Sequence, residues 1–192
     1  MTNIAIFASG NGSNAENIIQ YFAKNMNIKV AIVLTNKQNA YVIKRAQNHK
    51  IPYKIFSSQE LKQEGYILLV LKKYNIDFIV LSGFLLRIPS ELIHAFPEKI
   101  INIHPALLPK YGGKGMFGSS VHEAVFAAKE PETGITIHYV NENYDEGAII
   151  FQARCKINSE DTPDTIAQKV HELEYRYFSE VIEKTIIGKF NL

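Results

Sequence analysis

Apolar positions along the chain follow two alternating rhythms. Short unbroken runs occur at NIAIFAS (3–9), KVAIVLTN (29–36) and DFIVLSGF (77–84). A strand buried on one face would alternate apolar with polar residues, so these runs predict strands covered on both faces. Between them, NAENIIQYFAKN (14–25), AYVIKRAQNHK (40–50) and LKQEGYILLVLKKYNI (61–76) carry apolar residues at helical spacing. Gly65 weakens the start of the third helix. Such strand–helix alternation predicts a doubly wound, Rossmann-like parallel sheet.

The rhythm changes after KIINIH (99–104). LLPKYGGKGMFGSS (107–120) is a Gly/Pro-rich loop, and SVHEAVFAAK (120–129) reads as a helix. GITIHYVN (134–141) and AIIFQARCKI (148–157) read as two strands joined by the turn-forming NENYDEG (141–147). From Asp164 to Ile187 the helical spacing returns, with Thr162 or Asp161 as N-cap and Pro163 at the first position. The fold class expected is therefore α/β. It has a mostly parallel central sheet flanked by helices, a C-terminal antiparallel strand pair and a long terminal helix.

Composition narrows the class without changing the fold. The 192 residues suit one domain or two closely merged halves, and 46% hydrophobic with 21% charged residues is ordinary for a globular chain. About 70% of the unfolded surface can be buried at this length, so neither disulfides nor metal are needed for stability. The formal net charge of +2 argues against a broad nucleic-acid surface but allows a local phosphate site. Cys155 is the single cysteine, which excludes an internal disulfide and a CxxC zinc motif. No apolar run reaches the ~18 residues of a membrane span, and MTN leads straight into IAIFA without a basic leader. A soluble cytoplasmic protein is expected.

Candidate chemistry begins in SGNGSN (9–14), between the first strand and the first helix. Glycines permit a tight turn, and free N–H groups at a helix start attract phosphate. Gly10, Gly12 and Ala15 fit a dinucleotide fingerprint, but the second strand ends in Asn36-Lys37, where a nicotinamide site would place an acid for the ribose. Ser13 and Asn14 add hydroxyl and amide groups suited to a phosphate monoester. The alternative is a plain tight turn with a helix cap.

Asn102 and His104 interrupt the apolar strand that Pro105 ends. Residues i and i+2 of a strand face the same way, so both could flank one small group. An amide N–H can stabilise an oxyanion and an imidazole can move a proton near neutral pH. Taken alone, the pair reads more readily as polar groups satisfying a strand end. Asp145, two residues before Gly147 in the turn between the later strands, could approach this sheet edge. A carboxylate there would orient His104 and raise its pKa. His138 is a further polar neighbour or a satisfied core histidine.

Together FASGNGSN, VLSGFLLRIP, INIHPALLPKYGG, TGITIHYVNENYDEGAII and HELEYRYF resemble the phosphoribosylglycinamide formyltransferase family across nearly the whole chain. The resemblance implies a single Rossmann-like formyltransferase domain over 1–192. Its 1–100 half would bind phosphate, and its 101–192 half would carry catalysis and folate binding. It implies transfer of a formyl group from 10-formyltetrahydrofolate, as co-substrate, to the amine of glycinamide ribonucleotide in purine biosynthesis, with no metal. Asn102, His104 and Asp145 fall on the family's catalytic triad. Gly12, Ser13 and Asn14 fall on its phosphate loop, with His171 near the phosphate and Glu174 at the ribose and amine side. Phe84, Leu85, Leu86 and Ile88 fall on the folate segment, and Val140, Asn141, Asn143 and Tyr144 on the pterin loop.

Departures are YDEGA where many members have LDGGP, a longer YGGKGMFGSSVHEA loop, and Glu60 near the position of an arginine for the folate tail. Small-molecule substrates, no nucleic acid, no membrane, and a monomer or homodimer are implied. Rival readings are a formyltetrahydrofolate hydrolase or sugar-nucleotide formyltransferase, and a non-catalytic Rossmann-type nucleotide-binding module. A run from first strand to closing helix leaves no room for the appended domains of a hydrolase or a methionyl-tRNA formyltransferase.

Overall fold

The structure is a computed structural model that describes residues 1–188, so the last four residues of the single expected domain lie outside the described residues. One seven-stranded sheet organises it, built from β1 (Thr2–Phe7), β2 (Ile28–Thr35), β3 (Tyr53–Ile55), β4 (Phe78–Leu81), β5 (Ile100–His104), β6 (Glu132–Tyr139) and β7 (Ile149–Lys156). Its order is β3-β2-β1-β4-β5-β6-β7. The first five strands pair in parallel, and β6 and β7 join antiparallel.

The apolar runs behave as expected of doubly covered strands. In β1, Ile4 and Ile6 enter one core, while Ala5 and Phe7 enter the other. Removing one such isoleucine side chain from water is worth about 1.5–3 kcal/mol. The first core is closed by α1 (Ser13–Phe22), α2 (Val42–Asn48) and α7 (Pro163–Ile186). The second is closed by α3 (Ser58–Lys62), α4 (Tyr66–Lys73) and α5 (Ser90–Ala95). The remaining helix, α6 (Ser119–Ala127), packs against α7. No described helix is long and apolar enough to cross a membrane.

Three details depart from the sequence pattern. The helix expected over 61–76 is two helices, because Gly65 takes a left-handed conformation at the start of α4. β3 and α5, three and six residues long, are too short to give a readable period. The long terminal helix begins where its signals put it. Thr162 is the N-cap, its hydroxyl accepts the Thr165 N–H, the Thr165 hydroxyl accepts the Thr162 N–H, and Pro163 opens the helix.

Chain connections run from β1 outward to β3 and then return to β4 on the other side of β1. Ligands of open α/β sheets gather at the carboxyl ends of the strands beside such a switch. Ser9, just past β1, laces this point together. Its hydroxyl donates to Asn36 Oδ1 at 2.6 Å and accepts the Leu85 N–H at 3.0 Å. Asn36, which replaces the acid of a nicotinamide site, thus joins the ends of β1, β2 and β4.

Candidate active site

Above these strand ends lies a cavity of about 820 Å³. All sixteen residues singled out in the sequence line it: Asn102, His104 and Asp145; Gly12, Ser13, Asn14, His171 and Glu174; and the two apolar segments. Gly12 turns the chain from β1 into α1 with φ +75°, and a Cβ there would lie 2.4 Å from the Val42 side chain. Only glycine meets both conditions, and the start of α1 opens into the cavity.

α7 faces α1 across this end. Asn14 donates from Nδ2 to Glu174 Oε2 at 2.8 Å, although 160 residues separate them. His171 Nδ1 lies 2.8 Å from the same oxygen. A carboxylate can only accept, so Nδ1 carries the proton, and this bond raises the His171 pKa. Glu174 is buried, and these two donors offset the cost of taking its charge out of water.

At the centre, β5 presents Asn102 and His104 on one face, and β6 pairs His138 opposite Asn102. The turn after β6 returns Asp145 to the sheet. Gly147 makes this approach possible, since a Cβ there would sit 1.6 Å from the Tyr139 carbonyl oxygen. Asp145 itself adopts φ +57°, an uncommon conformation for a residue with a side chain. Its Oδ2 is 3.5 Å from His104 Nδ1 and accepts the Gly113 N–H at 2.9 Å. Its Oδ1 is 3.5 Å from both Asn102 Nδ2 and His138 Nε2.

Hydrogen-bond partners fix the tautomers. His138 Nδ1 faces the Tyr139 carbonyl at 2.8 Å and must donate, leaving Nε2 to accept from Asn102 at 3.1 Å. His104 Nε2 faces the Tyr111 carbonyl at 2.7 Å and must also donate, so Nδ1 is the nitrogen turned toward Asp145.

The electrostatics correct one expectation. Asp145 does draw the His104 pKa upward, as does the Tyr111 carbonyl, but burial is the larger effect and the imidazole ends below the ordinary histidine range. Burial also acts on Asp145, pushing its carboxyl up. The adjacent His138 and His104 rings and the Gly113 N–H outweigh that and hold it below the usual carboxylate range.

The apolar end is formed by the segment after β4 and the loop after β6. Phe84 stands edge-on to Phe7, ring centroids 5.3 Å apart, and Ile88 belongs chiefly to the core beneath. Leu85 and Tyr144 stay exposed at the rim. Arg87 bonds the Glu142 carbonyl and so ties the two segments together. Several cavity residues escaped sequence reasoning: Lys114, Met116 and Phe117 of the long glycine loop, and His122 of α6. Only the apolar–polar interruption at His122 within a helical run could have drawn notice.

An α/β sheet of this order, with an amide, an imidazole and a carboxylate meeting at the carboxyl end of β5, defines a Rossmann-like protein whose site is equipped for polar group chemistry. The Formyl transferase family pattern matches residues 2–182, and the chain belongs to that family. The chain is 38% identical over 185 residues to the chloroplastic phosphoribosylglycinamide formyltransferase of Arabidopsis thaliana, a match covering 93% of this chain and 63% of that protein. It is 37% identical over 196 residues to the phosphoribosylglycinamide formyltransferase of Bacillus subtilis, covering 100% and 97% of the two chains. The chain thus spans under two thirds of the plant protein and nearly all of the bacterial one.

Among solved structures, the Coxiella burnetii phosphoribosylglycinamide formyltransferase superposes with a TM-score of 0.88 at 35% identity, covering 97% of this chain and 88% of that one. The Bacillus halodurans enzyme gives 0.86 at 36%, covering 95% and 94%.

Proposed function

We propose that this chain transfers the formyl group of 10-formyltetrahydrofolate to the amine of glycinamide ribonucleotide, in purine biosynthesis and in the cytoplasm, as a single catalytic domain. The observation that carries the reading is the meeting of Asn102, His104 and Asp145 in one cavity. The start of α1 lines one part of that cavity and the apolar segment after β4 another.

Each part suits one substrate. The start of α1 at Gly12, Ser13 and Asn14 offers backbone N–H groups to the phosphate, and the His171–Glu174 pair borders the same end. Phe84, Leu85, Leu86, Ile88 and Val140 give the folate ring system an apolar wall, with Asn141, Asn143 and Tyr144 at its edge.

In the reaction, the substrate amine attacks the formyl carbon and a C–N bond forms. The carbonyl electron pair moves onto oxygen, and Asn102 Nδ2 donates a hydrogen bond to that oxyanion. The amide now bonds His138 and points toward Asp145 at 3.5 Å, a weak contact that gives way to the stronger acceptor. His104, lowered in pKa, takes the amine proton at Nδ1. Asp145 and the Tyr111 carbonyl then stabilise the imidazolium from its two sides. Collapse of the oxyanion breaks the bond to the folate nitrogen, which receives the proton from His104. Atoms and charge balance without a covalent enzyme intermediate.

The test is an assay of 10-formyltetrahydrofolate with glycinamide ribonucleotide and, separately, with water alone. Formylated ribonucleotide forming only in the first mixture is the expected result. Release of formate in both would mark a hydrolase, and no turnover in either would mark a binding module.

A further inference from the structure

His122 is the member of the cavity wall that the mechanism leaves unused. It lies on α6 and is 4% exposed, yet its Nδ1 meets no hydrogen-bond partner among the described residues. Buried imidazole nitrogens are ordinarily paired, and one left unpaired costs stability. Its surroundings are polar. The His171 ring lies 6.4 Å away, edge to face, and His171 holds Glu174. It lines the same cavity as Asn14, Glu174 and His104, beside His171. Asn14 Oδ1 is likewise buried and has no partner among the described residues. A side chain needed only to fill space would require neither nitrogen.

We propose that His122 is a binding residue for the ribose of the ribonucleotide, its imidazole hydrogen-bonded to a sugar hydroxyl. This rests on the reading that the ribonucleotide runs from the start of α1 to Asn102 and His104. Ribose is the part of such a substrate that would occupy the middle of that path. Burial first, and then the neighbouring His171, keep the His122 ring neutral. Neutral imidazole has one donor and one acceptor, which matches a hydroxyl. The phosphate end has its own helix terminus and the more readily protonated His171.

Binding of glycinamide ribonucleotide and its 2′-deoxy and 3′-deoxy analogues to wild type and His122→Phe, followed by calorimetry, tests this. Phenylalanine keeps the ring and removes both nitrogens, so the empty variant should melt at an equal or higher Tm. Wild type should bind one deoxy analogue about five- to tenfold more weakly than the parent, the effect of one neutral hydrogen bond. H122F should bind the parent weaker by a similar factor, cease to separate it from that analogue, and keep wild-type affinity for 10-formyltetrahydrofolate. His122→Ala carries the same binding expectation should the phenyl ring not be accommodated.

A variant that still separates parent from analogue by the wild-type factor overturns the inference. So does an equal loss of folate affinity, which would mark His122 as structural. A wild-type protein that binds no ribonucleotide overturns the underlying reading, and the inference with it.

Discussion

Asn102 shows how much a single residue's chemistry depends on its neighbours. In sequence it is an amide in an apolar strand. In the structure its Nδ2 is 3.1 Å from His138 and 3.5 Å from Asp145. If it receives the oxyanion, Asn102→Ala should lower kcat by about 10²–10³, or ~2.7–4 kcal/mol, in steady-state assays with both substrates. Near-wild-type turnover would remove it from the mechanism. The histidines make a second prediction, on stability. His104 and His122 have folded pKa values lowered from the ordinary 6.5. Between their folded values and 6.5 the unfolded chain binds more protons, so their contribution is present above 6.5 and is lost as pH falls. His171 is shifted the other way, but it is half exposed and its contribution is discounted. Urea unfolding at pH 7.5 and 5.5 should show lower stability at 5.5, and H122F should flatten that difference. An unchanged slope in H122F would show that His122 titrates normally.

Elements decide whether these residues meet. The β6–β7 hairpin delivers Asp145 only because Gly147 can lie against the Tyr139 carbonyl. Gly147→Ala must displace the turn, so kcat should fall at least as far as in Asp145→Asn while the folded state is retained by circular dichroism. Wild-type turnover in G147A would show that the turn tolerates the shift. The α7 cap acts differently. Thr162 and Thr165 satisfy each other's backbone donors, and neither lines the cavity. Thr162→Ala should cost about 1 kcal/mol in urea unfolding with KM for both substrates unchanged. These signals are local, and the helix start, the glycine loop and the turn could all be read from sequence. β3 and α5 could not, since short elements are held by packing against the sheet rather than by their own period, and Gly65 was legible only as a weak helix start.

Across the molecule, the cavity links parts of the chain distant in sequence. Asn14 and Glu174 are 160 residues apart and share one hydrogen bond where α1 and α7 meet the cavity. A ligand seated there binds the folded state alone. Saturating glycinamide ribonucleotide at ~100 times its Kd should therefore add about 2.7 kcal/mol to unfolding. The two cores share one sheet, so unfolding followed by circular dichroism and by tyrosine fluorescence should give one coincident transition. Separate transitions would mean that the two cores unfold independently.

The sequence by itself determined the alternation of the longer strands and helices, the start of α7, the glycine turn and the polar Asn102–His104 interruption of an apolar strand, because each follows from local spacing and backbone chemistry. Only the tertiary structure decided what surrounds those residues. Burial outweighs Asp145 at His104, His138 rather than substrate holds the resting Asn102 amide, and His122 enters the wall unpaired. Desolvation and hydrogen-bond partnership depend on atoms brought together from distant segments, and no local pattern encodes them.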